Sequence, residues 1–342
     1  LSSFFARVNY NYKEKYLFSA VMRADGSSNF AKGHRWGYFP SVSAAWRLSG
    51  EDFLKDVTWI NDLKLRAGWG QQGNQSGLAD YAWVQNYGIN YLDWTENDKV
   101  DAVPTVGTRT NMGNKGLSWE TTTQTNIGVD WSMFGGRLGV TLDGYYKYTT
   151  DLLMNVPLPA PYPSIYRNEG EMSNWGLELA VSSVNIDKND WNWTTDFNVS
   201  MNRNKLEKLD LKTVYYYTQT SELYSDYCVR MTPGQPLSMF WGYKALGVDP
   251  ETGMVIYEDY NGDGKVNVAD KHYIGDANPL FTAGLFLTIL VPEIMVIIPR
   301  MLTYSKMDIL GIFGLLADLT NGAVDIRPNL IGTAWAFYLP SL

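Results

Sequence analysis

A period of two runs through most of this chain and limits what it can become. In Ala6-Arg-Val-Asn-Tyr-Asn-Tyr12 the even positions are apolar or aromatic and the odd ones polar. Tyr16, Phe18, Ala20 and Met22 then share a face, and Val42, Ala44, Trp46 and Leu48 alternate with Ser41, Ser43, Ala45 and Arg47. Leu63, Leu65, Ala67 and Trp69 alternate with Lys64, Arg66, Gly68 and Gly70. The clearest case sets Thr125, Ile127, Val129, Trp131 and Met133 against Gln124, Asn126, Gly128 and Asp130. Its neighbour sets Leu138, Val140, Leu142, Tyr146 and Tyr148 against Thr141, Asp143, Tyr145 and Lys147. Trp175–Val181 and Trp191–Met201 repeat the pattern. Side chains of a strand point alternately to its two faces, so each segment reads as a strand with one apolar and one polar side.

A soluble sandwich alternates in the same way. Two features favour a membrane-spanning barrel. The strands run to roughly 10 residues with rings near their ends, and their polar face carries Asn, Gln, Asp, Arg and Lys well inside the strand, as a watery lumen permits. Connection lengths also alternate. The links at Lys13–Lys15, Phe134–Arg137 and Asn185–Asp190 are tight, whereas Asp25–Pro40, Gly70–Ser118, Thr150–Ser173 and Arg203–Pro279 are long. Ser49–Asp62 is intermediate, with a helical turn expected around Glu51–Lys55. Short turns on one rim and long loops on the other describe an outer-membrane barrel. Pro40 is expected at a strand start, where a missing N–H costs least. Trp46, Trp69, Trp131 and Trp193 lie on apolar faces and read as an interface girdle in contact with outer-membrane lipid.

Composition removes other classes. The net charge of −8 argues against a nucleic-acid partner. One cysteine, Cys228, excludes an internal disulfide framework, and two histidines, His34 and His272, leave little material for a zinc site or a Ser-His-Asp triad. No catalytic constellation is found, so an enzyme is not expected. The 23 Tyr and 13 Trp suit sugar-binding surfaces, membrane interfaces, or both. The chain starts at Leu1, without a Met or an apolar export segment, and is read as a fragment or processed product.

The pattern breaks at Leu285. The sequence LFLTILVPEIMVIIPRMLTY loses polar alternation, and Pro292, Glu293, Pro299 and Arg300 interrupt its apolar run. A helical membrane anchor is one reading; a shifted reading frame or a join to unrelated sequence is the favoured one. Residues 1–284 are thus expected to form a partial barrel and 285–342 an aberrant apolar tail.

The stretch DYNGDGKVNVAD, Asp259–Asp270, has the spacing of a calcium loop. Asp259, Asn261 and Asp263 occupy positions 1, 3 and 5, and Gly264 occupies position 6. Lys265 supplies a carbonyl at 7, Asn267 a water-mediated ligand at 9, and Asp270 closes the loop at 12. Calcium needs hard oxygens, and the glycine permits the turn that gathers them. Position 12 is one methylene shorter than the usual Glu, and a turn rich in Asp, Asn and Gly is the plainer alternative. A structural ion is expected rather than a sensor, since no helix pair flanks the loop. The long loops also carry Trp83, Tyr87, Tyr91, Trp94, Tyr215, Tyr216 and Tyr217, which could stack on sugar faces, or pack loop on loop or against a partner protein. Arg7, Asn9, Asn126, Asp130, Asp143, Lys147 and Glu178 on the polar faces either line a solute path or pair within the barrel and contact a plug inside it.

Six segments in order resemble a known family. They are FFARVNYNYKEKYLFSAVMRADGSSNFAKGHRWGYFPSVSAAWRLS, LKLRAGWGQQGNQ, LSWETTTQTNIGVDWSMFGGRLGVTLDGYYKYTTDLLMNVPLP, NEGEMSNWGLELAV, WNWTTDFNVSMNRNKLEKL and YEDYNGDGKVNVADKHYIGDANPLFTAGL. Together they resemble the C-terminal barrel portion of SusC/RagA-type TonB-dependent outer-membrane receptors of the Bacteroidetes. The resemblance implies an all-β, antiparallel part of a roughly 22-stranded plugged barrel in the outer membrane of a Gram-negative cell. It implies import of oligosaccharides, other glycans or peptides, with a SusD-like surface lipoprotein as lid and energy delivered through TonB. A secreted all-β glycan-binding module with a structural calcium is the alternative.

Overall fold

A computed structural model describes residues 1–96, 99–159, 161–188, 191–209, 215–218, 227–237, 239–291, 294–304 and 336–338. Over 89–109, 215–228 and from 290 onward only the backbone is described. The chain opens with β1 (Ser2–Tyr12), β2 (Tyr16–Gly26), β3 (Trp36–Arg47) and β4 (Ile60–Asn74). A hairpin of β5 (Gln85–Glu96) and β6 (Lys99–Met112) follows, then β7 (Glu120–Met133) and β8 (Leu138–Thr150). Next come the short β9 (Leu153–Val156) and β10 (Ile165–Asn168), then β11 (Glu171–Lys188) and β12 (Trp191–Lys208). The excursion after β12 holds β13 (Tyr215–Thr218), β14 (Tyr227–Met231), β15 (Met239–Gly242), β16 (Ala245–Val248), β17 (Val255–Tyr257) and β18 (His272–Asp276). The chain then returns through β19 (Phe281–Val291), β20 (Ile294–Tyr304) and β21 (Ala336–Tyr338).

One 11-stranded sheet, in the order β1-β2-β3-β4-β7-β8-β11-β12-β19-β20-β21, organises the molecule. It is an antiparallel meander whose loops are decorated by separate small sheets. The tight turns close one rim. Lys13 and Glu14 adopt left-handed φ values of 52° and 56°, and the Asn11 side chain accepts the Glu14 N–H at 2.9 Å. At Phe134–Arg137 the glycines Gly135 and Gly136 take φ of 71° and 83°, and Asn61 Oδ1 accepts both of their N–H groups. The intermediate link carries two 3-10 turns, Leu48–Gly50 and Asp52–Leu54, the second of them within the Glu51–Lys55 span where a helical turn is expected.

The main strands are 11 to 18 residues long, longer than the sequence pattern delimits. The surplus lies at both rims: polar residues such as Glu171, Ser173, Lys205 and Glu207 extend the β11–β12 ribbon at the long-loop rim, and β11 continues to Lys188 at the tight-turn rim. Alternation of hydropathy marks only the part of a strand with two unlike faces, so these wetter ends escape it. Pro40 lies inside β3 and not at its start. Its strand pairs with β4 only from Ser41 onward, so no ladder bond on that side is lost.

Few apolar residues are buried under the sheet. Val8, Ile127, Leu177 and Trp175 stand 44–64% exposed on the outer face, a contiguous apolar surface that calls for a non-aqueous neighbour. The buried cluster sits instead at the long-loop rim, where Phe30, Phe39, Ala82, Leu117 and Trp119 pack together. The Trp119 ring lies 5.1 Å from Phe30 and 5.7 Å from Phe39, and its Nε1 donates to the Arg35 carbonyl. Burying each such ring contributes about 2–3 kcal/mol, which fastens the loops after β2 and β4 onto the barrel wall.

The break in pattern at Leu285 is not a break in the backbone. β19 runs through it, pairing with β12 from Thr282 to Leu290, with Phe281, Ala283, Leu285, Leu287 and Ile289 on the face that continues Phe197 and Val199. Thr282, Gly284, Phe286 and Thr288 alternate with them, a period of two that Phe286 and the abundant Leu and Ile conceal. Among the described residues no helix is long and apolar enough to cross a membrane.

Candidate functional site

The calcium-type loop joins the exposed β16–β17 hairpin to β18. Asp259 gathers it, accepting the N–H groups of Gly262 at 2.8 Å, Asp263 at 3.2 Å and Gly264 at 2.7 Å. Asn261 Oδ1 accepts from Asp263 N and Asp263 Oδ1 from Lys265 N. Asp270 is fully buried and clasps the two ends together, accepting from Tyr260 and Asn261 through Oδ1 and from Asn267 through Oδ2. Those N–H groups, Asn267 foremost, hold its carboxyl below the usual carboxylate range in spite of its burial. The Asp263 Oδ2 and the Lys265 carbonyl converge on one donor, the Asn267 amide, at 3.4 and 3.3 Å. Asp270, by contrast, spends its oxygens on backbone N–H groups. His272 closes the neighbourhood, its ring 4.2 Å from that of Tyr260.

The loop aromatics divide. Trp83 donates from Nε1 to the Ser28 carbonyl at 3.1 Å, tying the loop after β4 to the loop after β2. Tyr87 is half exposed beside Gln85. The side chains of Tyr91, Trp94, Tyr215, Tyr216, Tyr217 and Cys228 lie outside the described residues.

The polar face is built in rows, because antiparallel register sets same-face residues of successive strands side by side. Arg66, Gly128 and Asp143 stand in one row, and Lys64 pairs across to Asp130 in the row below. Arg66 reaches Asp143 at 3.0 Å and Asp130 at 2.9 Å, while Lys64 reaches Asp130 at 2.8 Å. Two cations and two carboxylates are thus balanced within the wall. Asn126 lies one row above over Gly68, and Glu178 beside Asp143. All the polar-face residues singled out in the sequence do share this face.

At the tight-turn rim, Glu51 draws three groups together. Its Oε1 accepts from Tyr16 OH at 2.8 Å and Trp46 Nε1 at 3.1 Å, and its Oε2 faces Lys15 at 3.1 Å. These donors pull its carboxyl down to about 2, Tyr16 first. The cluster was not evident in the sequence, although Tyr16 and Trp46 were both placed on apolar faces at strand ends.

A family model for the TonB dependent receptor-like β-barrel matches residues 1–283. The chain belongs to the TonB-dependent receptor β-barrel family. This is a family of receptors, not enzymes. TonB-dependent receptor SusC of Bacteroides thetaiotaomicron is 33% identical over 285 residues, covering 80% of this chain and 28% of SusC. A TonB-dependent receptor of Formosa agariphila is 34% identical over 302 residues, covering 83% of this chain and 30% of its own length. The chain thus spans under a third of the curated relatives it matches. Among solved structures, that of the RagAB peptide transporter superposes with a TM-score of 0.75 at 26% identity, over 87% of this chain and 33% of that one. As a TonB-dependent receptor barrel wall, the sheet has its apolar face toward lipid and its polar rows toward the lumen.

Proposed function

We propose that this chain is part of the wall of an outer-membrane nutrient importer of the SusC type, taking up oligosaccharides, other glycans or peptides. The observation that carries the reading is the two-faced meander, with an apolar face and a polar face that holds paired charges, in a chain 33% identical to SusC over four fifths of its length. Such a wall does no bond chemistry; it holds a gated path. A SusD-like lipoprotein covers the long-loop mouth, and TonB supplies energy through another part of the receptor. The tight-turn rim then faces the periplasm and the excursion between β12 and β19 faces outward. The secreted-module alternative finds no support, since a sheet with this exposed apolar face does not suit water.

The loop Asp259–Asp270 holds a structural calcium in this reading. Asp259, Asn261, Asp263 and the Lys265 carbonyl would hold the ion, Asn267 through water, with Asp270 fixing the loop ends. A bound ion supplies the charge that lets these oxygens sit together. The excursion is already riveted to the barrel where Asn204 accepts from Leu237 N at 2.7 Å and donates to Asn278, so stiffening it stiffens the mouth.

Deleting the gene for the whole receptor tests the importer. Uptake of labelled oligosaccharide or oligopeptide should fall, and a tagged receptor should purify with a surface lipoprotein. Unchanged uptake of both solutes would overturn the reading.

A further inference from the structure

The loop Asp259–Asp270 holds the pair Asn261-Gly262, whose chemistry ion binding does not use. An asparagine side-chain amide is an electrophile placed beside a nucleophile, the nitrogen of the residue that follows. Glycine in that place leaves the nitrogen unshielded, having no Cβ. At Gly262, where φ is 73°, the position a Cβ would take has nothing within 4 Å.

The loop sets a group against each reacting atom of this pair. Asp259 Oδ1 accepts the Gly262 N–H at 2.8 Å, so a carboxylate sits on the proton that must leave before the nitrogen attacks. Asn261 Oδ1 accepts the Asp263 N–H at 2.9 Å, a donor aimed at the oxygen where negative charge develops. That bond closes an Asx turn and folds the side chain back over the Gly262 peptide. Asn261 Nδ2 donates to Asp263 Oδ2 at 3.3 Å, which fixes the amide so that Oδ1 and not Nδ2 meets the donor. The backbone is held too, because the buried Asp270 accepts the Asn261 N–H at 3.2 Å. Every one of these groups lies between residues 259 and 270, so no other part of the receptor is needed to complete the arrangement.

We propose that Asn261 is a self-modification site, where the loop converts its own amide to an acid. The Gly262 nitrogen attacks Asn261 Cγ, and its proton passes to Asp259. The new N–Cγ bond closes a cyclic imide as the Cγ–Nδ2 bond breaks. The departing nitrogen takes up that proton and leaves as ammonia. Water then opens the imide, at the side-chain carbonyl to give aspartate or at the main-chain carbonyl to give isoaspartate. Nothing is oxidised or reduced, and water is the only co-reactant. Either product places a negative charge at residue 261, and isoaspartate also lengthens the backbone by one atom within the Asp270 clasp. The change is irreversible, so the modified fraction rises with the age of the receptor. None of these steps requires the importer reading or a bound ion.

Peptide mapping of the whole receptor in detergent tests this, after warming at neutral pH in EDTA, which keeps metal ions off Asp259. The fragment holding residue 261 should gain the mass of an acid in place of an amide, with isoaspartate detected by enzymatic methylation of its carboxyl group. Conversion should run about tenfold faster than in a free synthetic peptide of residues 255–272, the net of a positioned base against lost flexibility. Asp259→Asn should bring it down to the rate of the peptide or below, whereas Val268→Thr, at an exposed position of the same loop, leaves it unchanged. Conversion in the receptor no faster than in the peptide would overturn the proposal. So would an Asp259→Asn variant that converts as fast as wild type. Neither result touches the importer, which the deletion strain tests.

Discussion

At Gly128 the lack of a side chain decides how charge is held in the wall. A Cβ there would lie 2.1 Å from Asp143 Oδ1 and 2.9 Å from Arg66 Nη2, so the bridge between β4 and β8 passes directly over the β7 backbone. The alternation made this row legible in part, since all three residues fall on polar faces, but pairing across three strands requires register that no single segment carries. The calcium-type loop was legible as spacing alone. Which oxygens remain available after the backbone is satisfied follows from its folded path, in which Asp259 and Asp270 serve N–H groups. If an ion fixes this loop, Asp263→Asn in the whole receptor lowers the melting temperature in millimolar calcium and leaves it unchanged in EDTA, measured by thermal unfolding in detergent. An equal loss in both conditions would remove the ion from the explanation.

Among elements, the eight strands that the first 201 residues give to the large sheet were recognisable from hydropathy because each has one lipid-facing and one water-facing side. β19 was missed beyond Leu285 since its spacer residues are Gly, Thr and Phe rather than charged groups. The rim cluster of Phe30, Phe39, Leu117 and Trp119 was also missed, as it joins loops distant in sequence. The link between β3 and β4 gives an element-scale test through Glu51, whose folded carboxyl lies near 2 against an ordinary 4.5. A depressed value means that its contribution is complete above the ordinary value and fades as pH falls from about 5 toward 2. Glu51→Gln therefore lowers the melting temperature at pH 7, and the gap from wild type narrows by pH 3. A gap that stays constant with pH would show that the clamp of Tyr16, Trp46 and Lys15 does not depend on the carboxylate charge.

For the whole molecule, the decisive property is the separation of its two faces. A sheet of 11 strands with bare outer valines, leucines and rings would expose a hydrophobic band and open edges to water, yet the same surface is at ease in lipid, where the closed barrel leaves no backbone group unpaired. Every functional reading above, from the lumenal rows to the loops at the outer mouth, follows from that orientation. Single cysteines along β7, placed in the whole receptor with Cys228→Ser, test it most directly. In isolated outer membranes a lipid-soluble maleimide should label positions 125, 127 and 129 and spare 124, 126 and 130. Labelling without a period of two, or favouring the even positions, would contradict the barrel-wall assignment.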